Sequence, residues 1–335
     1  MKQLIIIGTL LLLVQTGLMV ATHTLRNTDT GRPAGGPFLH LKAADVTEMV
    51  LEDRDGRRLL LKKEHETWLL PEKDSFPADS GRVQEFLEQI AGLQRGWPEA
   101  ATAEAVNRFK VATDQFEWKL TLRQGEKVLG IVYFGSSAGL RKRYIRADGD
   151  NEIQTFTAGR YELETAADNW IDTGILQLKP EQVVRVDLPG LHLERGPDGL
   201  QPADLSKEEE IIRDRRDQVV RQLTGLRVAG LLGTVEKPEY GLGRPVLSYS
   251  VELDDKTTIN YVVGREEDLS QSADEDGAAP ADDESFVLKV SNQAQLFHID
   301  AWQIHEIKNI TRASLVRAKE HKQPTTDGSA HQVEQ

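Results

Sequence analysis

Apolar and polar positions alternate along most of the chain, in short runs separated by Gly, Asp, Asn and Pro. The stretch VTEMVLEDRDGRRLLLKKEHETWLLPEK opens with Val46, Met49 and Leu51, turns at Asp55-Gly56 and ends a third run at Trp68-Leu69-Leu70. Extended runs bounded by turn residues predict strands. The period then changes. In FPADSGRVQEFLEQIAGL, Val83, Phe86, Leu87, Ile90 and Leu93 recur at helical spacing, and Pro77-Ala78-Asp79-Ser80 supplies helix-start chemistry.

The same order of signals returns in the second half. Val183, Val184, Val186 and Leu188 open EQVVRVDLPGLHLERGPDGLQPADLSKEEE, with turns at Pro189-Gly190 and Pro197-Asp198-Gly199. Leu200-Gln201-Pro202-Ala203-Asp204 takes the place of the Trp68 run and its Pro-Ala-Asp. A charged helix is predicted to follow, with Ile211, Ile212, Val219, Leu223 and Leu226 as its apolar set. Glu208, Glu209 and Glu210, with Arg213, Arg215 and Arg216, read as its solvated face.

Further on, RFKVATDQFEWKLTLRQGEKVLGIVYFG parallels EYGLGRPVLSYSVELDDKTTINYVVG, placing Phe109 on Tyr240, Val111 on Leu242 and Trp118 on Tyr249. Each segment makes a hairpin, at Gln124-Gly125 or Asp254-Asp255, and stops at Gly135 or Gly264. Both stretches then close alike, with a turn at Asp148-Gly149 or Ser291-Asn292, a strand ending at Phe156 or Phe297, and a short helix carrying Leu163 or Ile304. The expected fold is α+β. It comprises two tandem similar modules, each a mainly antiparallel sheet with one main helix and a short terminal helix, after an N-terminal transmembrane helix.

That transmembrane segment is LIIIGTLLLLVQTGLMVA, Leu4 to Ala21, uncharged and close to the roughly 20 residues that cross a bilayer. It is longer than the roughly 7–15-residue core of a cleavable signal and lacks a good small-x-small site, which favours an uncleaved signal-anchor over a signal peptide. With Lys2 on the cytoplasmic side, the rest of the chain is expected outside the inner membrane. The expected organisation is an anchor over residues 1–25, a Gly/Pro-rich linker over 26–44, a first module over 45–178 and a second over 179–318. The joint falls near Leu178-Lys179-Pro180. An acidic loop is inserted at 265–285, and a disordered tail runs over 319–335.

Composition narrows the chemistry. Among 335 residues, 41 basic against 54 acidic give a formal charge of −13, which argues against nucleic acid and anionic lipid headgroups as partners. There is no cysteine, so thiol catalysis, disulfides and thiolate metal sites are excluded. Gly241-Leu242-Gly243 has no third glycine and no Lys-Ser or Lys-Thr, and it precedes a strand rather than a helix. Its counterpart, Lys110 to Ala112, contains no glycine, so a scaffold bend is the better reading than a phosphate loop.

His298 and His305 lie seven apart, near Asp300 and Glu306, but on a strand end and the next helix, where no compact metal spacing results. Ser136-Ser137 offers a hydroxyl by exposure alone, without a nucleophile elbow. Trp68, Trp97, Trp118, Trp170 and Trp302 are expected in the core, with a groove that holds a polymer or peptide as the alternative. No catalytic residue, metal or cofactor is assigned. The possible interaction surface comprises Arg141, Lys142, Arg143, Tyr144 and Tyr240.

The Trp68 strand, the Phe76-Pro77-Ala78-Asp79 helix start and the Tyr240-Gly241-Leu242-x-x-Pro245 segment resemble the bacterial family named domain of unknown function 4340. The first copy departs from the pattern by reading Phe109-Lys110-Val111. The resemblance covers about Val46 to Val316. It implies a membrane-anchored envelope protein, often encoded beside ABC-type export components, with an accessory, non-catalytic role, and it brings no active site with it. The expected function is therefore a non-catalytic, inner-membrane-anchored periplasmic scaffold with envelope protein partners. The alternatives are a lipid- or glycan-binding module and, with less support, a hydrolase.

Overall fold

The runs of alternating residues become strands in the computed structural model, which describes residues 35–157, 163–266 and 284–319. The chain divides into two units between Trp170 and Ile171. The expected joint at Leu178 lies a little further on. Residues ahead of it are tied into the second unit: the Val228 amide donates to the Thr173 carbonyl at 3.0 Å, and the Leu178 amide to that of Thr224 at 2.9 Å.

In the first unit, β1 (Glu48–Asp53), β2 (Arg58–Glu64), β3 (Thr67–Leu70) and β4 (Phe76–Pro77) precede helix α1 (Ser80–Ala91). Helix α2 (Ala103–Arg108) follows, then β5 (Trp118–Gln124), β6 (Lys127–Gly139), β7 (Lys142–Ala147) and β8 (Gln154–Thr157). These strands form one sheet in the order β4, β3, β2, β1, β5, β6, β7, β8. All neighbours are antiparallel. Helix α1 touches β3. It buries Val83, Phe86, Leu87 and Ile90, each worth roughly 1.5–3 kcal/mol relative to exposure.

Its start is fixed as the sequence suggests. The Asp79 carboxylate accepts from the Arg82 amide at 3.0 Å, satisfying one of the orphan donors of the first turn. The Ser80 hydroxyl accepts from the Trp68 amide at 3.1 Å, which ties the helix to β3.

The second unit begins with β9 (Val183–Leu188), β10 (Leu191–Gly196), β11 (Gly199–Pro202) and β12 (Glu209–Ile211), followed by α3 (Arg213–Thr224) and β13 (Val228–Gly233). Next come β14 (Leu247–Leu253), β15 (Thr258–Arg265), β16 (Phe286–Val290) and β17 (Leu296–Ile299). The unit closes with α4 (Ala301–Lys308), α5 (Arg312–Leu315) and β18 (Val316–Ala318). The main sheet is also antiparallel, in the order β11, β10, β9, β14, β15, β16, β17, β13. Without β4 and β13, the two strand orders correspond position by position. Leu200, the second residue of β11, is buried as Trp68 is in β3.

Several expectations need correction. Glu209 and Glu210 are not on a helix but on β12, which pairs with β18. Pro202-Ala203-Asp204 caps no helix, because α3 starts only at Arg213, after Ile212, which makes no side-chain cap. Instead, Arg312 Nε donates to both Asp204 carboxylate oxygens at 2.9 and 3.0 Å. Helix α2, capped by Thr102, was not expected. Strand β13 adds an edge to the second sheet, where the first unit has only an isolated bridge between Ala100 and Ile153.

The tryptophans also divide. Trp68 and Trp170 are buried and Trp118 is half-buried, but Trp97 is 83% exposed and Trp302 58% exposed. Among the described residues no helix is long and apolar enough to cross a membrane. The anchor Leu4–Ala21, most of the acidic insertion and the tail after Lys319 lie outside the described residues, as do residues 158–162; Leu163, expected on a short helix, is buried at a turn instead.

Candidate interaction surface

Two places carry the candidate residues: the bend that precedes the long hairpin of each unit, and the tip of the β6–β7 hairpin. The bend comes first because it decides whether Gly241-Leu242-Gly243 is a binding loop. Lys110 has φ +56° and Gly241 has φ +63°, so both units turn through the left-handed region at the aligned position. The preceding aromatic then lays its carbonyl on a glycine. A β-carbon at Gly135 would overlap the carbonyl oxygen of Phe109, and one at Gly264 would overlap that of Tyr240. In the first unit the Ser136 amide donates to the Phe109 carbonyl at 2.9 Å. The loop leads into β14 and no helix follows, so there is no helix N-terminus to hold a phosphate.

Around Lys110 a cleft of about 280 Å³ is lined by Arg54, Asp114, Gln115, Phe116 and Glu117. The Lys110 ammonium donates to Glu117 at 2.5 Å and Arg54 does so at 3.1 Å. The Lys110 hydrogen bond holds the Glu117 carboxyl below its ordinary range. The corresponding cleft of the second unit, about 590 Å³, is lined by Glu236, Lys237, Pro238, Gly241, Leu242, Gly243 and Arg244.

The basic run Arg141-Lys142-Arg143-Tyr144 separates into an outer and an inner half. Arg141 takes φ +56° at the hairpin turn, and both it and Lys142 are exposed. Arg143 turns back over the sheet: its guanidinium lies 4.3 Å from the Trp118 ring centroid and Nη1 donates to the Gly135 carbonyl at 3.4 Å. Burial pulls its pKa down and the Glu117 charge opposes that; an arginine remains charged regardless. Tyr144 stacks on Phe109 with centroids 4.0 Å apart. Tyr240 is 3% exposed and packs with Val287 and Leu296. It is therefore a core residue rather than part of a surface, with only the Lys237 ammonium over its ring at 5.5 Å.

What charge alone did not reveal is Leu140, at the same turn and 93% exposed. The hairpin thus presents an apolar tip followed by two exposed cations, in a chain of formal charge −13.

Among the described residues, the serine and histidine candidates do not assemble a catalytic relay. Ser136 Oγ donates to the Phe109 carbonyl at 3.3 Å and Ser137 Oγ to that of Gly139 at 3.1 Å. His298 and His305 pair with glutamates other than the nearby Asp300 and Glu306. His305 Nε2 lies 3.1 Å from Glu284, whose other oxygen meets Arg265 at 2.7 Å. His298 Nδ1 lies 3.8 Å from Glu266 and 3.4 Å from Ser285 Oγ, which itself donates to Glu266 at 2.9 Å. Serine and carboxylate thus face the same ring nitrogen, whereas a relay needs them on opposite ones. Among the described residues no cluster of three His, Asp or Glu side chains is arranged to hold a metal.

These features define an α+β protein built on two antiparallel sheets, with exposed aromatic and basic-apolar positions on its surface. The chain belongs to the family described as a domain of unknown function (DUF4340), whose model matches residues 68–245. The match runs from β3 of the first unit to the loop before β14 of the second. No curated protein and no solved structure matches the chain.

Proposed function

We propose that this protein is a non-catalytic interaction subunit of a bacterial envelope complex. One α+β module is built twice and held at the inner membrane by Leu4–Ala21, with both copies in the periplasm. Support for the duplication comes from the corresponding strand orders and from the aromatic carbonyl laid on Gly135 or Gly264 after a left-handed residue. The partner class is the membrane subunits of an ABC-type transporter, as the family resemblance implies.

The observation that carries the interaction role is the β6–β7 tip, where Leu140 is 93% exposed and is followed by the exposed cations Arg141 and Lys142. An exposed apolar side chain beside two cations is suited to a partner that covers the leucine and supplies carboxylates to Arg141 and Lys142. Crosslinking the tagged full-length protein in cells, extracting it in detergent and identifying what co-purifies tests the proposal. Permease or ATPase subunits are expected, and they should be lost when the first 25 or so residues are exchanged for a cleavable signal. Turnover of an envelope substrate by the purified protein, abolished by point changes in one cleft, would overturn it.

A further inference from the structure

The second unit carries a cleft that the interaction role does not use. It lies between α3 and α4, encloses about 270 Å³ and is lined by Gln218, Arg221, Gln222, Gly225, Trp302, Gln303 and Glu306. We propose that it is a binding site for one ring of a neutral saccharide, with Trp302 as the stacking wall. The size is just under the roughly 300–1,000 Å³ of sites that enclose a drug-sized ligand. One ring fits, with the rest of a chain running on through solvent.

The lining is preorganised on one side and open for bonding on the other. Gln303 Oε1 accepts from the Arg227 amide and Nε2 donates to the Arg227 carbonyl, both at 2.9 Å. This two-way clamp pins the first turn of α4 and so fixes the helix that carries Trp302, a residue left 58% exposed. Gln218 Oε1 accepts from Arg215 Nη1 at 3.1 Å, which leaves the Gln218 amide hydrogens to donate. Arg221, Gln222 and Glu306 make no side-chain hydrogen bond or ion pair with any described residue.

The chemistry of that set selects the ligand. No aliphatic side chain lines the cleft, so an acyl chain finds no apolar channel. The single cation, Arg221, is balanced by the single anion, Glu306, which disfavours a phosphate or another polyanion. What remains is a flat aromatic face beside groups that both donate and accept. A pyranose matches this, because its C–H face packs on an indole and each hydroxyl needs a donor and an acceptor.

The test uses detergent-solubilised full-length protein on a panel of immobilised neutral oligosaccharides, followed by calorimetric titration with the N-acetylglucosamine tetramer and with maltotetraose. At least one neutral glycan is expected to bind. Trp302→Ala should weaken it about tenfold or more, while Trp302→Phe retains most of the affinity. Arg221→Ala should weaken the same glycan less. Because Trp302 is exposed, the melting temperature of its variants should stay within a degree or two of the parent. Three results would each overturn the site: no glycan bound at about 10 mM, binding indifferent to Trp302→Ala, or a Trp302-dependent signal from a cationic peptide or inorganic phosphate instead. None of these depends on the Leu140 hairpin, so the envelope-partner proposal can stand or fall separately.

Discussion

The bends at Phe109-Lys110-Val111 and Tyr240-Gly241-Leu242 follow the same backbone course with different residues, and the contrast shows what the fold demands and what it leaves free. Both have a left-handed residue after an aromatic whose carbonyl rests on a glycine of the long hairpin. In the first unit that residue is a lysine. Holding a side chain there costs about 1–2 kcal/mol, and the Lys110–Glu117 pair offsets part of it. In the second unit the space is gone: a β-carbon on Gly241 would overlap the carbonyl oxygen of Arg265. The glycine that looks like a phosphate-loop residue is thus required by backbone crowding, while the lysine opposite occupies a site with room.

The shared half of the device should give the largest effect. Gly135→Ala and Gly264→Ala each force a methyl into a carbonyl oxygen, at a residue that directly follows the last β5–β6 pair at Phe134 or that pairs with Val287 of β16, so a backbone shift there disturbs the sheet. A loss of about 4 kcal/mol or more, or failure to fold, is expected in urea unfolding. Mild, equal losses would mean that the bend is not a fixed point of either unit.

The unshared half sharpens the comparison. Gly241→Ala should cost about 2–4 kcal/mol, from both the left-handed φ and the Arg265 carbonyl. Lys110→Gly should fall within about 1 kcal/mol of neutral, since relief of φ strain opposes the lost pair. Equal costs at the two positions would break the account of why one is glycine.

Helix starts differ too. Asp79→Ala should destabilise the first unit by about 1 kcal/mol through the lost cap. Asp204, at the corresponding place, acts instead with Glu209 on Arg312. The Arg312 hydrogen bond holds the Glu209 carboxyl at about 2, below its ordinary 4.5. A depressed carboxyl stabilises the fold above the ordinary value, and that contribution is lost as pH falls from about 4.5 towards about 2. Acid unfolding followed by circular dichroism should therefore begin at higher pH in Arg312→Gln, and the difference should shrink in 1 M salt.

The smallest effect is expected at the stacked pair Tyr249–Tyr261, whose rings lie 4.5 Å apart and nearly parallel. The Tyr249 hydroxyl is buried without a hydrogen-bond partner among the described residues, and burial pushes its pKa well above the ordinary value. Tyr249→Phe removes an unsatisfied group, so stability should be unchanged or rise by up to about 1 kcal/mol. A clear loss would mean that the hydroxyl has a partner such as a buried water.

Much of this architecture was legible in the chain. Alternation gave the hairpins, and helical spacing gave Val83, Phe86, Leu87 and Ile90 as one buried face. The match of Phe109 with Tyr240 and of Gly135 with Gly264 places both bends from sequence alone. What escaped depends on distant partners. Glu208-Glu209-Glu210 reads as a charged helix until β18, more than 100 residues later in the chain, supplies a strand and Arg317. Whether a tryptophan faces inward is also not a local property, which is why Trp97 and Trp302 are exposed against expectation. The hairpin surface was only partly legible: counting charges found Arg141 and Lys142, but Arg143 and Tyr144 turn inward, and Leu140 carries the exposed apolar tip.

The central claim, that the protein works by presenting a surface to an envelope partner, is tested most directly by a photo-crosslinking residue placed at Leu140 in the full-length protein in cells. Lys256, exposed at the β14–β15 turn of the other unit, provides the matched control. Adducts to a transporter membrane subunit at position 140, absent at 256 and lost in Arg141→Glu/Lys142→Glu, are the result expected. No adduct at 140, or the same adducts at both turns, would contradict the claim.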